Sequence, residues 1–266
     1  MTNQTTYLRL ASLALLPALA ACGGGGGASP DLPVGNGLPY ADGTHAVGAA
    51  FLEEGDRLNT RATGVRLTLE DQLVSAPISI ERVDARHLQV SFNGESYLLE
   101  QVGSEASTGY ANAAMSIDFG LSPYDEVSLA RLVYLGDGGV SASLVAGYLT
   151  DAADVPTSGT MMYQGMAYMD EIGGMGVHSE ETWQLAMEAD FDEGHITALF
   201  TTPFGFVIAP ETPFDANGFT AELHAPGGLS GSMDGAFYAQ NGEVIAGNVH
   251  LTGGLTFGGV YSADRD

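Results

Sequence analysis

Histidine and methionine are the side chains of this sequence with the most chemistry to offer. His45, His87, His178, His195, His224 and His250 are scattered along it, while Met161, Met162, Met166, Met169, Met175 and His178 crowd into eighteen residues. Thioether and imidazole together suit Cu(I) or a haem iron. Methionine also fills irregular cores, and Met161 and Met162 must point to opposite faces of any strand that carries them. Packing accounts for the cluster better, so no metal site is expected. His178, in a long loop spanning 170–181, is kept as the one candidate ligand-binding residue. His195, His224 and His250 fall on the polar faces of their strands and are expected to be solvent-exposed.

Nucleophile chemistry finds no footing. Gly228-Leu229-Ser230-Gly231-Ser232 lacks the spacing of a G-x-S-x-G elbow and leads into a strand where an elbow needs a helix. Asp190/Asp192 and Asp215/Asn217 stand at hairpin ends, where turn chemistry explains them. No catalytic residue is expected, and the chain does not read as an enzyme.

The elements that would carry these residues are strands. With 37 Gly, 11 Tyr and 11 Phe in 266 residues, the composition is that of a β-rich chain with many tight turns. Helical periodicity is nearly absent; Pro123–Leu132 and Ala130–Leu135 come nearest. Over residues 41–156 short strands form an irregular antiparallel sheet, with Leu88, Val90 and Phe92 on one face and Asn93-Gly94 as a two-residue hairpin turn. A second hairpin turns at Gly136–Gly139. Asp151–Ser158 is a polar breaker and marks a domain boundary.

Residues 157–266 alternate more strictly. In Thr182–Asp192, Trp183, Leu185, Met187, Ala189 and Phe191 share one face, and Gln184, Glu188 and Asp190 the other. Further strands are read at Gly159–Met169, His195–Thr201, Phe204–Ala209, Phe219–Ala225, Gly231–Tyr238, Glu243–Leu251 and Leu255–Ser262. An open sheet of eight strands would leave two exposed edges, and closure removes them. The expectation is an all-β fold: an eight-stranded antiparallel up-and-down β-barrel whose interior is filled by side chains. A membrane-spanning barrel has the same alternation with its faces exchanged; the absence of paired aromatic girdles makes it the less favoured alternative.

The N-terminus speaks to compartment. Leu10–Ala20 is an apolar run behind Arg9, shorter than the ~20 residues of a membrane-spanning helix, and it reads as a secretory signal over 1–21. Leu19-Ala20-Ala21-Cys22 resembles the lipobox of bacterial lipoproteins, with cleavage between Ala21 and Cys22 and lipid on Cys22. That cysteine is the only one in the chain, so it has no disulfide partner within it. Five glycines follow, and residues 22–40 read as a tether that reaches on the order of 20 Å from the lipid surface. Every basic residue is arginine, and the formal charge is −25. Removing the signal takes away only Arg9, leaving 7 − 33 = −26. Such a charge argues against nucleic acid and anionic lipid as partners.

The C-terminal residues carry a more specific pattern: Gly235-Ala236-Phe237-Tyr238-Ala239-Gln240-Asn241-Gly242-Glu243, then Ala246-Gly247, then Gly259-Val260-Tyr261-Ser262-Ala263-Asp264-Arg265. This set resembles the closing hairpins of the barrel in transferrin-binding protein B and related surface lipoproteins. Asp154–Thr160 is similar to the entry into that barrel, Ala189–Asp192 with Gly194 to its second hairpin, and Asn217–Leu223 to its fifth strand. The resemblance covers 147–266 and implies that 41–156 is a β-rich handle-like domain, giving one handle and one barrel where the family's full proteins have two of each.

It further implies an outer-membrane, lipid-anchored, surface-exposed protein that binds a protein or solute ligand in metal or haem acquisition. A TonB-dependent receptor and a surface-lipoprotein translocon are the implied partners. No resident cofactor is expected, haem being the group to test. The alternative class is a structural or adhesive coat lipoprotein with no small ligand.

Overall fold

The computed structural model describes residues 38–39, 52–67, 73–103, 108–120, 127–136, 138–172, 178–216 and 218–266. Almost all regular structure is strand. A two-residue strand, β1 (Leu38–Pro39), precedes β2 (Arg57–Arg66), β3 (Leu73–Arg82), β4 (His87–Phe92), β5 (Glu95–Gln101), β6 (Gly109–Ala111), β7 (Met115–Asp118), β8 (Val127–Tyr134) and β9 (Val140–Leu149). Then come β10 (Thr160–Ile172), β11 (His178–Asp190), β12 (His195–Thr202), β13 (Gly205–Asp215), β14 (Gly218–His224), β15 (Ser230–Tyr238), β16 (Val244–Thr252) and β17 (Thr256–Arg265). No helix among the described residues is long and apolar enough to cross a membrane.

β10 to β17 each pair antiparallel with the next, and β17 returns to β10 from Tyr163↔Arg265 to Ile172↔Thr256. This is the eight-stranded up-and-down barrel expected from the alternation. Its interior is filled. Trp183 is fully buried, with Phe200, Phe204 and Phe257 edge-on to it at 6.4, 5.5 and 5.1 Å between ring centroids. Tyr163 is also inside, its hydroxyl donating to the Gly242 carbonyl at 2.9 Å. Tyr261 donates to the Asp234 carbonyl at 3.0 Å. A Cβ on Gly235 would fall 2.1 Å from that Tyr261 hydroxyl, so only glycine fits there. With the apolar face inward, the barrel is the reverse of one that holds a watery lumen inside lipid.

The leading sheet is more regular than its sequence suggests. β2 to β9 also form a consecutive antiparallel meander, and β9 returns to β2 from Ala62↔Leu144 to Arg66↔Val140. It closes on a core of its own, with Leu58, Ile80, Leu88, Phe92, Leu132 and Leu144 among its buried residues. Asn93 and Gly94 both take positive φ, 53° and 80°, as the predicted two-residue hairpin requires. The nearest approach to helical sequence, Ala130–Leu135, lies largely in β8, which is buried on both faces over Val127–Ala130. Two further differences concern segment ends. Leu38–Pro39, within the stretch read as tether, pairs parallel with Tyr148 and Leu149. The predicted loop 170–181 is shorter, because β10 runs on to Ile172 and β11 begins at His178. The signal segment, Ala21, Cys22 and His45 lie outside the described residues.

A third apolar cluster joins the two sheets, which lie in one compact unit. Val127, Leu129 and Val145 project from β8 and β9 onto Ala236, Tyr238, Val244, Ala246 and Val260 of β15, β16 and β17. The backbones come very close at one point: a Cβ on Gly258 of β17 would lie 2.6 Å from the Gly64 carbonyl oxygen of β2. The segment after β9 is stitched to the end of β15, with Thr150 N–H donating to Phe237 and Ala239 N–H to Tyr148.

Candidate binding face

The covered seam divides the barrel's outer surface into two halves. Outward residues of β15, β16 and β17, with Tyr168 and Asp170 of β10, face the leading sheet, whereas Met162 and Met166 of β10 and the outward residues of β11 to β14 face solvent. The sequence-predicted candidates divide between these halves.

His250, expected to be exposed, is half-buried in the seam. Burial holds its imidazole below the ordinary value, with Asp234 opposing and Arg61 reinforcing that shift. Asp234 accepts from the Asn248 amide at 3.0 Å, and burial pushes its carboxyl up against the effect of that bond and of Arg61. Ser232 Oγ stands 3.3 Å from Nδ1 and 3.4 Å from Nε2 of His250. Near-equal distances mean that neither nitrogen's lone pair is aimed at the hydroxyl. With the Asp234 carboxylate bonded to Asn248, these three residues do not assemble a Ser-His-Asp relay. Elsewhere in the seam Arg131 reaches Asp170, Ser141 and Glu180 at 2.6, 2.6 and 3.0 Å.

The C-terminal motif residues have a structural task. Arg265 donates to the Asn241 carbonyl at 3.2 Å and pairs with Glu243 at 3.3 Å. Asn241 sits at φ 54° in the tight turn between β15 and β16. The terminal arginine thereby ties the last strand to the turn that opens the preceding hairpin.

On the solvent-facing half, His224 is exposed and His195 half-exposed. A bulge between β12 and β13, where the register shifts between Ile196 and Ala198, brings Glu211 beside His195, Nδ1 to Oε1 3.4 Å. One donor atom each from Glu193, His195 and Glu211 lies within 4.8 Å of the others. These are carboxylate and imidazole donors of the kind that suit a divalent cation, gathered at the barrel's end. His87, by contrast, is paired with Asp84 at 2.9 Å on the leading sheet. His178 is the first residue of β11, opposite Ile172.

The methionine cluster is split by strand alternation. Met161 and Met169 pack on the barrel core, whereas Met162 and Met166 are exposed. Packing thus explains only the inward members. The outward pair belongs to something the sequence reading missed. Cross-strand register sets Gln164 beside Ala186, Ala186 beside Leu199 and Leu199 beside Ile208. Met162 and Met166 flank the start of that row, and Phe206 flanks its end. The result is an exposed apolar patch across four strands, with the polar Gln164 between the two methionines on β10. The signal was present in Phe206-Val207-Ile208-Ala209, a run apolar on both faces where a strand with one wet face should alternate.

No protein-family model and no curated protein matches the chain. Solved structures do. A mutant of the vaccine antigen Transferrin Binding Protein B from Haemophilus parasuis Hp5 superposes with a TM-score of 0.54 at 16% identity, covering 79% of this chain and 44% of that one. The isotype 1 Transferrin binding protein B from serogroup B Neisseria meningitidis gives 0.53 at 16%, covering 78% and 43%. The chain therefore spans under half the length of these neighbours, both of them named as binding proteins. Its handle-and-barrel architecture is similar to that of transferrin-binding protein B, as the C-terminal motifs lead one to expect.

Proposed function

We propose that this chain is a ligand-binding lipoprotein of the outer-membrane surface, anchored through Cys22 and engaged in metal or haem acquisition. The observation that supports it most is the fold: a filled barrel locked to a second closed sheet, in the architecture of proteins named for binding transferrin. Its ligand is a protein or a solute, and a TonB-dependent receptor and a surface-lipoprotein translocon are its partners. The domain limits of this reading are a signal at 1–21, a tether from 22, a handle-like domain to 156 and the barrel from 157. A filled interior leaves no lumen for cargo, so binding falls to the outer surface and the loops.

Labelled palmitate tests the anchor. Incorporation into the wild-type chain and none into Cys22→Ser is the expected result. Protease added to intact cells should then degrade the wild-type protein. Haem titrated against the delipidated protein separates the two ligand classes: a Soret shift that saturates favours direct haem capture, and none leaves the protein ligand.

A further inference from the structure

We infer that the solvent-facing half of the barrel, on β10 to β13, is the docking surface for a basic protein; this rests on the ligand-binding reading above. The face has an apolar centre. Phe206 is 57% exposed, Ile208 48%, Met162 44%, Met166 42% and Leu199 39%. These five account for half of the large exposed hydrophobic residues among the described ones. Directly opposed residues in an antiparallel pair lie ~5 Å apart and diagonal ones ~7–8 Å, so the registers make the five continuous through Ala186. Contiguous apolar area rimmed by polar groups marks interaction sites.

Charge selects the occupant. Exposed Glu188, Glu211 and Glu222 rim the centre. No lysine or arginine occurs anywhere between Arg131 and Arg265, so the only basic side chains on β10 to β14 are histidines, His224 opposite Ile208 among them. A partner with apolar side chains ringed by lysine and arginine complements this face. A second copy of the chain does not, because a two-fold contact would set the same glutamates against themselves. An anionic lipid surface is repelled for the same reason. The leading sheet covers the other half of the barrel's outer surface, and among the described residues no segment covers this one.

Benzoylphenylalanine placed at Leu199 in the full, lipidated chain tests the inference, with the same probe at Leu98 of β5, 56% exposed, as control. Irradiation of outer membranes should give a protein adduct from position 199 and not from 98. The crosslinked peptide of the partner should carry lysine or arginine. Raising salt from ~0.1 to ~1 M before irradiation, which cuts the screening length from about 10 to about 3 Å, should lower the yield at least tenfold. Glu188→Lys with Glu222→Lys should do the same. An adduct with a second copy or with lipid, a salt-insensitive adduct, or one from position 98 alone would overturn the inference. If the wild-type chain retains a partner that crosslinks only at 98, the binding function stands and this face falls. If it retains none, both fall.

Discussion

Arg131 of β8 and Asp170 of β10 meet at 2.6 Å although they belong to different closed sheets. The Asp170 side chain is wholly buried and that of Arg131 is 19% exposed. Ser141 supplies a second bond to the same carboxylate oxygen at 3.2 Å. This pair pins the leading sheet to the barrel beside the apolar contacts of Val145 and Val260. Breaking a buried ion pair by removing one partner is costly, so Arg131→Ala should destabilise by about 3–5 kcal/mol. Arg131→Met with Asp170→Leu should recover most of that loss. Urea unfolding of the three proteins checks both expectations.

The seam should also respond to acid. Burial lowers the His250 pKa in the folded chain, so the unfolded chain binds this proton more readily. Stability from this residue is complete above the unfolded value of ~6.5 and is lost as pH falls below it. Asp234, whose pKa is raised by burial, contributes the opposite sign: it favours the fold at low pH and loses that contribution as pH rises above ~4. His250→Gln should therefore flatten the fall in melting temperature between neutral pH and pH ~5. An unchanged slope would mean that the imidazole titrates freely.

Alkali acts on the barrel interior. Burial pushes the Tyr163 hydroxyl up to about 12, and burial raises Tyr238 and Tyr261 as well. Each holds its proton more tightly when folded, so stability is full below pH ~10 and declines above it. Tyr163→Phe should cost about 1 kcal/mol at neutral pH through the lost bond to Gly242, with a shallower alkaline decline. Absorbance of ionised tyrosine, followed against unfolding, gives the readout.

Gly258 has no room for a side chain, and the atom in its way is the Gly64 backbone. Gly258→Val should cost about 1–3 kcal/mol and expose the segment between β9 and β10 to limited proteolysis. Gly254, where a Cβ would meet nothing within 4 Å, should accept alanine with little change.

What the sequence discloses follows from how local each signal is. Strict alternation from Thr182 to Asp192 names the inward face of β11, and the Arg265 motif marks the closing strand, because both depend on neighbours in the chain or in one hairpin. Closure of the leading sheet was hidden: it depends on β9 returning to β2 across some eighty residues, from Leu144 to Ala62. His250 looked exposed because alternation reports which face of a strand a residue occupies, not what later covers that face. The approach of Glu211 to His195 depends on a bulge, which no periodicity predicts. The apolar patch on β10 to β13 was half visible, in a run of apolar residues on both faces of β13.

Copurification of the full, lipidated chain from outer membranes of iron-starved and iron-replete cells tests the ligand-binding account most directly. The account predicts a protein or haem retained in near-stoichiometric amount, more of it under starvation, and released by high salt if it docks on the acidic face. A chain that elutes alone and equally abundant from both cultures would contradict it and leave the coat-lipoprotein reading in its place.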